Sequence, residues 1–161
     1  MTASRYSVVL VDDNDDHCML IEDMLIAQDF ARQVLRFADA ESALAHLRDP
    51  QAARGAESAR MPDFIFLDIR LPGMTGIELL RQLKSHPATR GIPAIMLTTS
   101  ERSEEINASY EAGACGYIVK PVDFMVLAEK IRALRDYWGA ACEVPVLESH
   151  ARVAGEETRG T

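Results

Sequence analysis

The sequence lacks the marks of several function classes. Its three cysteines, Cys18, Cys115 and Cys142, are far apart, odd in number and without a C-x-x-C spacing. That argues against a disulfide framework or a thiolate zinc site, and the thiols read as free in a reducing compartment. No apolar run approaches the ~18 residues that cross a bilayer, and no signal-peptide core stands near the N-terminus. The expected location is the cytoplasm, with no membrane association. Positive charge is in deficit: 17 Lys and Arg face 25 Asp and Glu, for a net charge of −8. Attraction to nucleic acid or an anionic membrane is therefore disfavoured. The histidines His17, His46, His86 and His150 are scattered without metal or triad spacing and read as surface or packing residues, with His17, near an acidic stretch, expected at most to modulate it weakly. No Ser/Thr/Gly-rich phosphate loop follows the first apolar run, and there is no internal repeat.

What the chain does have is a set of short apolar runs that end abruptly in polar residues. Phe64-Ile65-Phe66-Leu67 reads as a strand buried on both faces, and it ends in Asp68. Tyr6 to Val11 is a similar run ending in Asp12-Asp13. Gln33 to Phe37 reads as a second strand, Ala94 to Leu97 as a fourth ending in Thr98-Thr99-Ser100, and Gly116 to Val119 as a fifth ending in Lys120-Pro121.

Helical spacing separates these runs. Asn14 or Asp15 is expected to cap a first helix reaching about Gln28, with Met19, Leu20, Met24 and Leu25 at helical spacing and Met19 and Met24 in the core. Asp39 is expected to cap a second helix, with Ala40, Ala43, Leu44 and Leu47 on one face. Thr75-Gly76-Ile77-Glu78 is a capping-box pattern opening a third. Ser103-Glu104-Glu105 opens a polar fourth helix, which Gly113 closes. Asp123 caps a fifth that buries Phe124, Leu127, Ile131 and Leu134 and reaches about Tyr137-Trp138. Cys115 reads as a small buried residue. Residues 49–62 read as a surface loop. Five strands alternating with five helices imply an α/β, doubly wound parallel sheet with helices on both faces.

In such a sheet, ligands sit at the carboxyl ends of the strands. Asp12, Asp13, Asp68, Thr98 and Lys120 would all converge on that rim. Two unit charges ~4 Å apart repel by about 4 kcal/mol at an effective dielectric of 20, so the acids must share protons, pair with Lys120 or bind a cation. An all-oxygen site with few protein ligands suits Mg²⁺. A carboxylate beside Mg²⁺, with an ammonium and a hydroxyl aimed at the same point, is an arrangement for phosphoryl transfer through an aspartyl phosphate.

The ordered set Asp12-Asp13, Asp68, Thr98, Tyr117 and Lys120-Pro121 resembles the receiver domain of two-component response regulators, of the single-domain kind. Thr98 follows Asp68 by 30 residues, Tyr117 follows Thr98 by 19, and Lys120 follows Tyr117 by 3. The resemblance covers residues 5–138. It implies a flavodoxin-like sheet of strand order 2-1-3-4-5. It implies that Asp68 accepts a phosphoryl group from a histidine kinase phosphohistidine. Asp13 and Asp68 would ligate Mg²⁺ directly, Asp12 through water, and the Arg70 backbone carbonyl would complete the protein ligands. Lys120 would pair with Asp68 and then with a phosphoryl oxygen, and Thr98 would bond another. Thr98 and Tyr117 would form the switch, and the Lys120–Pro121 bond would be cis. Such a protein is a signalling switch that catalyses only its own phosphorylation and dephosphorylation. Arg70 and Ser100 are expected to flank the site and set the dephosphorylation rate by controlling water access.

The segment Tyr-Ile-Val-Lys-Pro-Val-Asp-Phe, the long loop before the third strand and Asp136-Tyr137-Trp138 resemble a narrower group serving phytochrome-type or hybrid histidine kinases. A sensor or hybrid histidine kinase is the expected partner, with a histidine phosphotransfer protein as a chemically equivalent one. A phosphatase of the haloacid dehalogenase type is the alternative use of Asp68 as nucleophile. It needs a second acid two residues on, where this chain has Arg70. Residues 139–161 read as an extension, disordered from Gly155 and too short and too poor in basic residues for a DNA-binding output domain. Tyr137-Trp138 and Val144 to Leu147 could cover the last helix of a second copy in a homodimer.

Overall fold

A computed structural model describes residues 6–49 and 61–145. Five parallel strands, β1 (Tyr6–Val11), β2 (Ala31–Phe37), β3 (Phe64–Leu67), β4 (Ala94–Thr98) and β5 (Gly116–Val119), form one sheet in the order β2-β1-β3-β4-β5. Between and after them run α1 (Asp15–Ala27), α2 (Ala40–Arg48), α3 (Gly76–Ser85), α4 (Ser103–Ala112) and α5 (Phe124–Ala140). The expected α/β class, strand order and doubly wound arrangement are the ones observed.

Side chains of the central strands alternate between two cores, as the pleat requires. Val9, Val11, Ile65, Leu67, Ala94 and Met96 face α2 and α3, and Ala108 and Ala112 of α4 pack on the same side. Val8, Leu10, Phe64, Phe66, Ile95 and Leu97 face α1 and α5. A strand flanked by helices on both faces is apolar along most of its length, which is why β1 from Val8, β3, and β4 up to Leu97 read as unbroken apolar runs. β5 lies at an edge and is only half-buried.

The helix starts follow the sequence closely. Asn14 caps α1 by accepting from His17 N, Asp39 caps α2 through Ser42 N, and Asp123 caps α5 through Met125 N. The Thr75–Glu78 capping box is complete in both directions. Gly113 ends α4 with φ +112°, a conformation that side chains with a Cβ rarely adopt.

Several expectations fail. β2 begins at Ala31, two residues early, because Ala31 pairs with Tyr6 before the register shifts. β3 ends at Leu67, so Asp68 stands just beyond the strand. Met19 and Leu20 are 57% and 43% exposed. The buried face of α1 is Cys18, Ile21 and Leu25, which step by three and four residues and leave Met19 and Leu20 turned outward. Met24 is partly buried against the same core. Cys115 is exposed, because Ala114 takes the inward position at the mouth of β5. No cis peptide bond occurs among the described residues, so Lys120–Pro121 is trans, the form X–Pro bonds favour by about 0.5–1 kcal/mol. Most of the 49–62 loop, and the tail from residue 146 with its expected disordered end, lie outside the described residues. Val144 packs on the α1/α5 core, and Trp138 stacks edge-on against Phe64 at 4.9 Å, so that ring serves its own core.

Candidate functional site

Strand order alone brings the acids together. β1 and β3 are neighbours, and the chain leaves β1 toward one edge of the sheet and β3 toward the other. This is the switch point where a crevice opens. Asp68 N donates to Val11 O at 2.9 Å, which fastens the end of β3 to the end of β1. One carboxylate oxygen from each of Asp12, Asp13 and Asp68 lies within 4.8 Å of the others. Asp12 is buried at 2% exposed, Asp68 is 9% exposed, and Asp13 faces solvent.

Lys120 is delivered from the end of β5. Its backbone N donates to Thr98 O at 2.7 Å, and its ammonium reaches back across β4 to the acids. Nζ donates to Asp12 Oδ2 at 2.5 Å and to Asp68 Oδ2 at 3.0 Å. Pairing with Asp68 was expected from the resemblance; the shorter bond to Asp12 was not. The third neighbour of Nζ is His17 Nδ1 at 3.1 Å. The Lys120 side chain is 2% exposed and that of Asp12 is 1%. A buried charge survives only when paired and fully hydrogen-bonded, and here each charge has partners. Asp12 Oδ1 also accepts from Asn14 N at 2.9 Å, so both its oxygens are engaged.

Three carboxylates against one ammonium leave a formal charge of two minus. Carboxylates 4.8 Å apart repel by about 3–4 kcal/mol at an effective dielectric of 20. A divalent cation would balance that charge, and oxygen-only donors suit a hard ion. The residues present therefore fit a divalent metal.

Around this centre the other expected residues form a second ring. Thr98 is fully buried at the end of β4, and its hydroxyl accepts from Ser100 N at 3.5 Å. Ser100 is also buried, and its Oγ accepts from Arg102 N at 3.3 Å. The Tyr117 hydroxyl donates to Ser100 O at 2.9 Å, and burial pushes its pKa up. Arg70 N approaches Asp68 Oδ1 at 3.4 Å, which holds the loop after β3 beside the acids. Its guanidinium turns away from them and pairs with Glu105 Oε1 on α4 at 3.2 Å. The fold thus gathers Asp12, Asp13, Asp68 and Lys120 at one point. Thr98, Ser100 and Tyr117 are linked through the β4–α4 turn, and the Arg70 side chain sits on α4.

Two residues in this wiring were not assigned by sequence: Glu105, and the lysine contact of His17. His17 does carry a signal. It stands three residues past the Asn14 cap, in the first turn of a helix that begins at the acidic rim.

The comparisons with known proteins agree with this geometry. The chain is 32% identical over 133 residues to the probable methanogenesis regulatory protein FilR2 of Methanothrix harundinacea, covering 83% of each. It is 31% identical over 148 residues to the response regulator PleD of Caulobacter vibrioides, where it spans 92% of this chain but only 30% of PleD. It is 27% identical over 138 residues to response regulator Rcp1 of Synechocystis, covering 86% of this chain and 92% of Rcp1. The crystal structure of Rcp1 with bound Mn²⁺ superposes with a TM-score of 0.72 at 25% identity, over 88% of this chain and all of that one. The phosphorylated cyanobacterial phytochrome response regulator RcpA gives 0.76 at 29% identity, over 88% and 99%. The family model described as the response regulator receiver domain matches residues 8–132. That span runs from β1 into α5 and takes in every member of the acidic cluster, and the chain accordingly belongs to the response regulator receiver family.

Proposed function

We propose that the chain is a phospho-accepting switch in which Asp68 takes a phosphoryl group from the phosphohistidine of a sensor or hybrid histidine kinase. The observation that carries this is the meeting of Asp12, Asp13, Asp68 and Lys120 at one strand-end crevice with two uncompensated negative charges. In the transfer, a carboxylate oxygen of Asp68 forms a bond to phosphorus while the bond from phosphorus to the imidazole nitrogen breaks. The electron pair leaves with the imidazole.

Mg²⁺ is the proposed cation, and when bound it supplies positive charge to the oxygens of the transferring group. Asp13 and Asp68 would hold it directly, with the Arg70 backbone carbonyl. Asp12 would act through water, a role that suits a carboxylate whose two oxygens are already engaged by Lys120 and Asn14. Lys120 would follow the charge from the Asp68 carboxylate onto a phosphoryl oxygen. Thr98 would donate its hydroxyl to another. Movement of Thr98 would draw on the β4–α4 turn, which also receives the Tyr117 hydroxyl at Ser100 O, so Thr98 and Tyr117 would report phosphorylation on the surface of α4 and β5. Arg70 and Ser100 are proposed to set the lifetime of the phosphoprotein by controlling water access. Glu105 holds that guanidinium on α4, away from the acids, so the Arg70 part of this control would require the side chain to leave that contact.

The protein would act as a cytoplasmic signalling switch rather than a turnover enzyme. The receiver unit is taken as residues 5–138, with 139–161 an extension. Among the described residues no helix is long and apolar enough to cross a membrane. The likeness to RcpA supports a phytochrome-type kinase as donor. Relay to a histidine phosphotransfer protein and pairing with a second copy belong to the same proposal, and sedimentation of the full chain against a truncation after Trp138 tests the pairing. The central experiment is transfer from a phosphorylated histidine kinase in the presence of Mg²⁺, comparing wild type with Asp68→Asn. A label that survives alkali and hydroxylamine, or equal labelling of the two proteins, overturns the assignment.

A further inference from the structure

A lysine ammonium has three N–H donors and no acceptor. In a site where the side chain is 2% exposed, each donor needs a partner. Asp12 Oδ2 and Asp68 Oδ2 take two, at 2.5 and 3.0 Å. His17 Nδ1, at 3.1 Å, is placed to take the third. Because the lysine can only donate, Nδ1 must accept, and the neutral ring then carries its proton on Nε2. The same ring leans on Phe124, the first residue of α5, with centroids 5.2 Å apart and planes tilted by 46°. One half-buried imidazole from the first turn of α1 therefore meets the ammonium at a nitrogen and the start of α5 with its ring. None of the roles assigned above uses it.

We propose that His17 is a positioning residue for Lys120: Nδ1 holds the third N–H and thereby sets where the ammonium points relative to Asp68. This rests on the reading of Asp68 as phosphoacceptor and Lys120 as the group that meets the phosphoryl oxygen. The two carboxylates keep the lysine in the site, since bonds between charged partners are about twice as strong as neutral ones. They do not by themselves aim it. With the imidazole gone, the unmet N–H turns toward the remaining lone pairs of the carboxylates. The shorter bond, to Asp12, then decides the position. The amine drifts from the point where the phosphoryl oxygen arrives. Misplacement of a positioned group by about 1 Å costs up to about a hundredfold in rate, and a partial drift about tenfold. The neutral imidazole adds no charge, so cation affinity stays as it was.

The test uses the full chain, a small phosphoryl donor (acetyl phosphate) and saturating Mg²⁺, so that no kinase interface enters. Asn Oδ1 stands at the same number of bonds from Cα as His Nδ1 and only accepts, so His17→Asn keeps the acceptor and loses the ring. His17→Phe keeps a ring against Phe124 and loses the acceptor; His17→Leu repeats that loss if the phenylalanine variant fails to fold by circular dichroism. The expected result is a phosphorylation rate constant within about threefold of wild type for the asparagine variant and about tenfold lower for the acceptor-less variants. Magnesium affinity by calorimetry should be unchanged in all. Wild-type rates without an acceptor overturn the proposal, as does an asparagine variant as slow as the phenylalanine one, which would make the ring packing the whole effect. Should wild type and Asp68→Asn label alike, the parent reading falls first and takes this one with it, a result visible without any His17 variant.

Discussion

Replacing Lys120 with methionine keeps most of the side-chain volume and removes the one ammonium that pairs with the acidic cluster among the described residues. In the wild type that ammonium bridges Asp12 and Asp68, and both it and Asp12 are almost wholly buried. Without it the two carboxylates face each other with no counter-charge. Deleting one partner of a buried ion pair costs about 3–5 kcal/mol, because the charge left behind remains desolvated. Repulsion among the acids acts in the same direction. With a urea slope of about 2 kcal/mol/M, the midpoint of unfolding should fall by about 1.5–2.5 M in EDTA. Magnesium should restore much of it. The formal charge of the cluster passes from two minus to three minus, so the cation binds the variant more tightly. A tenfold gain in affinity is about 1.4 kcal/mol of extra stabilisation at the same free magnesium. The assay is urea unfolding followed by circular dichroism, for wild type and Lys120→Met, with EDTA and with excess magnesium chloride. Two results refute the reasoning: a variant as stable as wild type in EDTA, or the same gain from magnesium in both proteins. Either would mean that the acids do not press on one another as their separation implies.

Three further outcomes follow from local geometry. A Cβ on Gly76 would stand 1.9 Å from the Asp68 carbonyl oxygen and 2.8 Å from its carbon. Gly76→Ala should therefore shift the loop that carries Asp68, costing about 3 kcal/mol and slowing phosphorylation; an unchanged melt would refute this. The Cys18 thiol is pushed up to about 11, by burial first and by Asp12 next. At pH 8 only about one part in a thousand is thiolate; desolvation raises the Cys115 thiol too, so access decides the order, and iodoacetamide should modify exposed Cys115 and half-buried Cys142 before buried Cys18, as peptide mass spectrometry with and without denaturant reads. The Asp39 carboxylate is held below its ordinary pKa of 3.8 by the Ser42 N–H and hydroxyl that it caps. Its contribution to stability is thus complete above 3.8 and lost as pH falls through the lower folded value. The stability gap between wild type and Asp39→Ala should narrow only in that acid range, and a gap that closes near neutrality refutes the cap.

Much of the fold was legible because parallel strands buried on both faces leave no freedom in their composition. Phe64 to Leu67 has one reading, and a carboxylate at its end has few places to be. Capping residues were equally plain, since Asp39, Thr75 with Glu78, and Asp123 each satisfy backbone donors that a helix start leaves open. The face of α1 was not plain. Cys18, Met19, Leu20, Ile21, Met24, Leu25 and Ile26 are all apolar, so periodicity has no polar side against which to register. The structure buries Cys18, Ile21 and Leu25. The ladder beyond Ala31 was hidden for a related reason: Arg32 and Gln33 are polar, yet an outer strand tolerates such residues wherever one face meets solvent.

The site divides along the same line, between what the main chain decides and what the side chains decide. Asp12, Asp13 and Asp68 stand on or next to strand ends, so topology places their backbones within reach of one another whatever their side chains do. Lys120 and Arg70 have long flexible stems, and their partners are settled by competition among nearby charges. Lys120 had Asp68 as the acceptor expected from family resemblance, yet Asp12, the more deeply buried of the two, takes the shorter bond. Arg70 stands two residues from Asp68, yet its guanidinium, 65% exposed, finds the largely buried Glu105 carboxylate on α4. A spacing pattern in the sequence carries the first kind of information. The second kind depends on which of several acceptors the assembled fold brings within a side chain's reach, and a spacing pattern does not carry that.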